Sequence, residues 1–311
     1  MKLQNPKIVF YAQRKFGDKI TATFDFVKEN WRVMLKYLVY MVLPICLIQS
    51  LTMNRLMSEY LGMAMSDTID TDISSGVWLS LIANYGLTIL FMMIGSMLIS
   101  ALVYTFMSVY NEREERLTDI KFADFKSAFY MRLTRYILLI VFGIALGILA
   151  IAVVVLLAVL SPWTLMITIP LLFVCAIPLT LFVPVYLFEE KITIFQAFTR
   201  SLRLGFATWG GVFAVSFVIG IIANIVSGIT MMPWYVATIV KQVFIATDIQ
   251  SDVMVTPGYS FIIYVFGIIQ AFGLYLAMAL QLIAVAYQYG HAREKVDNVS
   301  VVSDIENFEQ L

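Results

Sequence analysis

Four long stretches of this chain contain no charged residue, and they decide what the chain can fold into. Residues 73–111, 136–188, 204–240 and 253–290 lack Asp, Glu, Lys and Arg altogether. A helix needs about 20 apolar residues to cross a hydrocarbon core of ~30 Å, so the run 136–188 is long enough for two crossings. The runs are continuous rather than alternating, which argues against the strands of a membrane barrel. With 61% hydrophobic residues, the chain is too apolar for a soluble domain.

This pattern predicts an all-α membrane protein with six transmembrane helices arranged as three hairpins. The spans are expected at residues 33–53, 78–108, 137–160, 164–188, 209–232 and 259–288. The turn between the third and fourth spans is expected at Pro162, which cannot continue a helix, and Trp163, which suits a membrane interface. The first span has no convincing cleavage site after it, so we expect it to be retained.

Basic residues are unevenly distributed between the two sides of the predicted membrane. Of 21 Lys and Arg residues, 19 fall in the N-terminal segment, the two inner loops and the C-terminal tail, and only Arg55 and Lys241 lie on the opposite side. Because positive loops stay inside, both termini and Arg113 are predicted to be cytoplasmic, in a bacterial inner membrane. The outer loops, 54–77 and 233–258, are acidic, and the second is expected to hold a short helix lying on the membrane.

The segment KITIFQAFTRSLRLGF, from Lys191 to Phe206, predicts an amphipathic surface helix between two apolar tracts. Thr193 and Gln196 have the spacing of a capping box, so a helix can start there. Apolar side chains recur at helical spacing, with basic side chains opposite. We expect the first set to face apolar surroundings and the second to face lipid headgroups or cytosol. The apolar residues are Phe195, Phe198, Leu202 and Phe206, and the basic ones are Arg200 and Arg203.

The same spacing recurs before the third span at Phe122, Phe125 and Phe129, and again before the first span. Each set precedes an outward-going helix, which predicts that a cytoplasmic interfacial helix comes before every hairpin. The chain then reads as one polytopic domain, 1–291, followed by a flexible acidic tail, 292–311. Within the domain the units would be 15–110, 111–188 and 189–290. The alternative is that any amphipathic helix shows this spacing.

A family resemblance is carried by the segment EEKITIFQAFTRSLRLGFATWGG, from Glu189 to Gly211. It resembles the membrane domain associated with bacterial glycerophosphodiester phosphodiesterases and the YciC-like multi-pass proteins of unassigned function. The matching residues are Glu189, Ala197, Arg200, Ser201, Trp209 and Gly210. The resemblance implies a multi-pass architecture. It carries over no catalytic residue, because this chain has no soluble phosphodiesterase domain.

Residues that could carry chemistry are few. His291 is the only histidine, so no histidine-based metal cluster or catalytic pair can be assembled, and we predict neither a cofactor nor an enzyme. No ionisable residue lies near the middle of a predicted span. The remaining candidates for a kink or a polar path are three prolines of the fourth span and several amides in or near spans. They are Pro170, Pro178 and Pro184, with Asn84, Asn224, Gln270 and Gln281.

These observations favour a non-enzymatic integral membrane protein, a scaffold or accessory subunit that organises lipid or a protein partner. The expected partners are membrane lipid and another membrane protein or a second copy of the chain. Nucleic acid is not among the expected partners; Lys and Arg together equal Asp and Glu, so the net charge gives no indication of it. The alternative is a transporter or channel subunit with a substrate path near the kinked fourth span, since broken helices form substrate sites in transporters.

Overall fold

The structure is a computed structural model that describes residues 6–65, 75–246 and 256–300. Within these ranges the chain is helical and contains no strand. The elements are α1 (Phe16–Met65), α2 (Ser75–Glu112), α3 (Phe122–Leu160), a 3₁₀ turn (Pro162–Thr164), α4 (Leu165–Leu179), α5 (Phe182–Phe188), α6 (Ile194–Ala207), α7 (Trp209–Ala246) and α8 (Pro257–Asp297). Six helical stretches in the described part are long and apolar enough to cross a membrane; five are α1, α2, α3, α7 and α8, and the sixth is Pro162–Phe188, which combines the 3₁₀ turn, α4 and α5. The prediction of an all-α, multi-pass membrane protein is therefore confirmed.

The helices are longer than the predicted spans. α1 has 50 residues and α8 has 41. At ~1.5 Å per residue, both exceed the ~30 Å of hydrocarbon, so parts of each must lie in the headgroup layer or in water. Residues 292–297 belong to α8 rather than to a flexible tail, and residues 301–311 lie outside the described residues.

Two of the three predicted surface helices are not separate elements. α1 begins at Phe16 and α3 at Phe122, and each continues without interruption into its apolar part. No glycine or proline lies between Gly17 and Pro44, or between Phe122 and Gly143, so nothing stops helical hydrogen bonding. Only α6 is distinct.

The break after α6 occurs at Thr208, whose φ of −130° and ψ of 28° lie outside the helical region. Thr208 also begins the next helix, because its carbonyl accepts from the Val212 amide at 3.0 Å. α7 continues through Pro233 to Ala246, so the described part of the outer loop 233–258 holds no separate helix, and the prediction of one is wrong there. Residues 247–255 lie outside the described residues. Asp70 and Asp252, two of the acidic residues in the predicted outer loops, fall outside the described residues.

The chain divides into two compact units. The first contains the residues up to Met34, Ser100–Gly220 and the residues from Leu280 onward, and the second contains Leu35–Ile99 and Ile221–Ala279. These boundaries cut across several helices. They do not coincide with the three predicted repeat units, which stay a prediction.

Aromatic side chains form the centre of the first unit. The ring of Phe188 stacks on that of Tyr289 with centroids 5.7 Å apart, and Tyr104 packs edge-on against Phe188 at 5.1 Å. Tyr104 and Tyr289 are fully buried. This cluster joins α2, α5 and α8, and so fixes the position at which α5 ends.

The second unit is built around Trp234, which is buried with Ala237 and Ile263. The Trp234 indole donates to Asn54 Oδ1, so its polar atom is satisfied. Gly95 allows α2 and α8 to approach closely, because a Cβ there would collide with the ring of Tyr275.

Candidate functional site

Among the candidate spans in the described residues, α3 is the one least covered by the rest of the chain. Only 6% of the most apolar stretch of α3 is buried within the chain, whereas the other five candidate spans in the described residues are 22% to 39% buried. Val159, Trp163 and Ile167, around the tip, are all exposed. The predicted turn is confirmed, with Ser161 extended and a 3₁₀ turn starting at Pro162.

Small residues on α3 leave one stripe of this hairpin open. A Cβ added to Gly143 or to Gly147 would meet nothing within 4 Å. In many membrane proteins this i, i+4 glycine pair lets another helix approach closely. In the described part of the chain, no other element comes within 4 Å of either position.

The base of the hairpin, by contrast, is firmly held. Arg135 donates to the carbonyl oxygens of Glu189, Glu190 and Ile192 at 2.6 to 3.2 Å, and its guanidinium lies 4.2 Å from the Tyr186 ring centroid. The side chain thereby ties α3 to the loop that precedes α6. An arginine with these bonds has a structural role, because its planar guanidinium holds several acceptors at once.

A second arginine of α3 is also turned inward. Arg132 is buried, and its Nη2 donates to Ser108 Oγ at 2.9 Å and lies 3.8 Å from Glu190 Oε1. Phe125 and Phe129 are buried as well, and Phe125 packs edge-on against Phe106 at 5.2 Å. These two phenylalanines belong to the protein core and not to the membrane interface that was predicted for them.

Phe122 is half-buried at the start of α3. It packs edge-on against Phe125, with ring centroids 5.3 Å apart.

α6 begins as predicted. The backbone amide of Gln196 donates to Thr193 Oγ1 at 3.3 Å, and the side-chain oxygen of Gln196 accepts from the backbone amide of Thr193 at 2.9 Å. The capping box is therefore confirmed.

The faces of α6 differ from the prediction. The buried face is formed by small residues and one leucine: Ala197, Ser201, Leu204 and Gly205. Phe195 and Phe206 are exposed, whereas Phe198 and Leu202 are half-buried. The buried face is small because α6 lies close to α4, where a Cβ on Gly205 would collide with the backbone of Pro178. The membrane contact of the exposed phenylalanines stays a prediction.

Arg200 lies in an ion network rather than on a free basic face. It binds Glu189 Oε2 at 2.6 Å and Asp297 Oδ2 at 2.9 Å. Arg293 of α8 binds the same two carboxylates at 3.1 and 3.0 Å, and Tyr289 donates to Glu189 at 2.8 Å. Two carboxylates therefore bind Arg200, and its predicted position facing headgroups or cytosol stays a prediction.

Arg203 stands at the edge of this network. It pairs with Asp297, but its side chain is 58% exposed, against 29% for Arg200. Three helical segments are therefore joined by one set of charges: the end of α5, the middle of α6 and the last turn of α8.

A buried lysine was not singled out by its sequence. Lys19 is 4% exposed, and its Nζ donates to Gln288 Oε1 at 2.7 Å. Gln288 in turn donates to Thr208 Oγ1 at 3.3 Å. Among the described residues, no carboxylate lies within 4 Å of this ammonium. Its neutral partner Gln288 lies 269 positions away, too far for any local pattern to indicate it.

His291 also has a long-range partner, since its Nδ1 accepts from the Arg14 backbone amide at 3.0 Å. Burial lowers the pKa of Arg14, which lies just before α1, and the guanidinium sits 5.1 Å from the Tyr287 ring centroid. No group of three or more metal-ligating side chains occurs in the described residues.

The prolines of the fourth span act unequally. Pro170 remains inside α4, whereas the helix is interrupted at Thr180 and Leu181, between Pro178 and Pro184. The predicted break is therefore confirmed. In an α-helix the amide of residue 178 would bond to the carbonyl of residue 174. Because proline has no amide hydrogen, the Val174 carbonyl has no partner within the helix. It accepts instead from the Trp209 indole at 3.1 Å.

Beside this break lies a cavity of about 170 Å³, lined by Thr180, Ser216, Ile219, Gln281, Ala284 and Val285. The Ser216 hydroxyl is buried and has no hydrogen-bond partner among the described residues. Of the amides predicted for a polar path, only Gln281 lines this cavity. The structure therefore brings together Gln281 and the kink of the fourth span, and adds Ser216 to them.

The other amides serve different contacts. In the second unit, Asn84 donates to Glu59 and to Ser80 Oγ at 3.2 to 3.3 Å. Asn224 also takes part in an interaction, and Gln270 is half-buried. Asn84 thus joins neighbouring helices through hydrogen bonds, as expected for most amides in apolar spans.

The fold and these contacts define the class of the protein, an all-α multi-pass integral membrane protein. Comparison with protein-family models, with curated proteins and with solved structures finds no match to this chain. The resemblance to the YciC-like family therefore stays a prediction.

Proposed function

We propose that the protein is a non-enzymatic scaffold or accessory subunit that holds another membrane-protein chain against its α3–α4 hairpin. The observation that carries the proposal is the contrast in burial, 6% for the apolar stretch of α3 against at least 22% for every other candidate span in the described residues. Lipid can cover any apolar helix, so exposure alone is not decisive. The open pair Gly143 and Gly147 adds a surface suited to a closely approaching helix.

The rigid base of the hairpin supports the same function. Arg132 and Arg135 fix the start of α3 through hydrogen bonds to Ser108 and to the loop before α6. A partner bound to the outer part of the hairpin would therefore be held in a defined orientation. We place this assembly in the bacterial inner membrane, with both termini on the cytoplasmic side, because of the uneven distribution of basic residues.

The test is to replace both glycines of this surface with a larger residue. The variant Gly143→Leu with Gly147→Leu should lose its partner chain in mild detergent, because the added side chains prevent close approach. The matched control is Gly86→Leu with Gly228→Leu, since a Cβ at either position also meets nothing within 4 Å. Co-purifying proteins and the mass of the complex are measured by mass spectrometry and light scattering.

The results distinguish the occupants of this surface. Loss of a second protein from the first variant alone supports the proposal, and loss of self-association identifies the partner as another copy. If the wild-type protein carries only lipid, or if both variants keep the same protein partner, the scaffold proposal is contradicted.

Transport is the second candidate, and the interrupted fourth span favours it. Interrupted helices often form substrate sites in transporters. Liposomes containing the protein would then admit small polar solutes faster than empty liposomes. A Pro184→Ala variant, which restores the missing amide to the interrupted segment, should reduce that flux. Equal rates with and without protein would argue against this candidate.

A further inference from the structure

We infer that the cavity beside the break in the fourth span is a binding site for the hydroxyl end of an uncharged lipid, such as a long-chain alcohol. This inference goes beyond the scaffold proposal, because it concerns the interior of the first unit and not the outer face of the hairpin. The groups involved belong to three elements: Thr180 at the break, Ser216 on α7 and Gln281 on α8.

The first argument is an unsatisfied hydroxyl. A serine in a helix commonly donates to a backbone carbonyl three or four residues earlier, as Ser201 does to Phe198 at 2.7 Å. Ser216 does not, and its buried oxygen has no partner among the described residues. An unpaired buried hydroxyl is unfavourable, so a bound molecule that pairs with it would be stabilised.

The second argument is the supply of further polar groups at the same place. Pro184 lacks the amide hydrogen that would pair with the Thr180 carbonyl in a continuous helix. Gln281 lines the cavity, and its side-chain amide nitrogen lies 4.0 Å from the position of a Cβ on Gly220. An amide that faces a cavity offers both a donor and an acceptor.

The third argument concerns the charge of the ligand. None of the described residues that line the cavity is charged, and its remaining walls are Ile219, Ala284 and Val285. An ion moved into such a site would lose its hydration without compensation. A hydroxyl group can accept from one polar side chain and donate to another, whereas an ether or ester oxygen can only accept.

The fourth argument concerns size and access. A cavity of about 170 Å³ is close to the ~150 Å³ that suffices for benzene, so it holds the end of a lipid but not its whole length. Ser216 lies seven residues after the start of α7, which is roughly 10 Å along the helix, within the apolar part of the chain. Gln281 is exposed, so the cavity can be reached from outside the chain at a level where the flanking helices are apolar.

A photoreactive diazirine analogue of 1-octanol tests the inference on the purified full-length protein in detergent. Labelling should be saturable and should map to the peptides that contain Ser216 and Gln281. Unlabelled 1-octanol should compete, and the corresponding methyl ether should compete about tenfold less well, because it lacks the hydroxyl donor. This comparison uses the wild-type protein and so does not depend on the folding of any variant.

Variants provide the second arm of the test. Ser216→Ala with Gln281→Leu should reduce the affinity for the probe about tenfold. The matched control is Ser227→Ala with Gln270→Leu, the same two chemical changes at positions that do not line the cavity, and it should label like the wild type. Labelling that does not saturate, equal competition by alcohol and ether, or equal loss in both variants would each overturn the inference.

Discussion

Replacing the two α6 arginines of the ion network one at a time should change the free energy of unfolding by different amounts. Arg200 binds two carboxylates, and its side chain is 29% exposed, whereas Arg203 binds only Asp297 and is 58% exposed. Exposed pairs contribute about 0–1 kcal/mol, while breaking a fully buried pair costs ~3–5 kcal/mol. Glu189 would keep Arg293 and the Tyr289 hydroxyl after the loss of Arg200. We therefore expect Arg200→Gln to lower the free energy of unfolding by about 2 kcal/mol, an intermediate value.

The control is Arg203→Gln, which removes the same charge three residues later and should cost less than about 0.5 kcal/mol. Both variants are purified in mixed micelles and unfolded by increasing the fraction of SDS, and the free energy of unfolding is taken from the transition. A loss of about 2 kcal/mol corresponds to a folding equilibrium constant roughly 30 times smaller. If the two variants lose equal stability, the carboxylate contacts of Arg200 contribute no more to stability than the single exposed pair of Arg203. α6 would then be better described as a free surface helix.

Two further predictions follow from the close approach of α6 and from the distribution of charge. Gly205→Ala should destabilise the protein by about 1–3 kcal/mol, because the added Cβ would collide with Pro178. In the control Gly210→Ala, the added Cβ meets nothing within 4 Å, so stability should not change in this way. The same micelle titration measures both variants. In intact cells, a single cysteine at the exposed position Glu114 should be protected from an impermeant maleimide, and one at Gly62 should react, if the inner loops are cytoplasmic. Reaction at Glu114 but not at Gly62 would reverse the orientation.

The parts of the fold that depend on local chemistry could be predicted from the sequence. The uncharged runs indicate six apolar helices, because an unpaired backbone is not tolerated in hydrocarbon. Pro162 ends the third helix, and the Thr193 and Gln196 pair starts α6, since each acts on its immediate neighbours in the chain. The interruption near Pro178 could be predicted for the same reason.

The partners of the charged residues could not be predicted. Helical spacing gives the direction of Arg200 on α6, but Asp297 is 97 positions away and reaches it only because α8 continues beyond its apolar part. The same applies to Lys19 and Gln288, which are 269 positions apart. An amphipathic pattern also cannot distinguish a face that covers lipid from one that covers protein, which is why Phe125 and Phe129 were assigned to the wrong surface.

The length of the uncharged part of α1 sets the bilayer thickness that the protein fits best. Between Lys36 and Arg55, α1 has no charged residue, a length of roughly 27 Å at ~1.5 Å per residue. Tilting shortens the thickness that a fixed apolar length can cover, so the helix cannot adapt to a thicker bilayer by tilting. A thicker bilayer would draw one of these two charges toward hydrocarbon, or would have to thin locally around the protein. The protein is therefore expected to concentrate in thinner regions of a membrane, and to deform thicker ones.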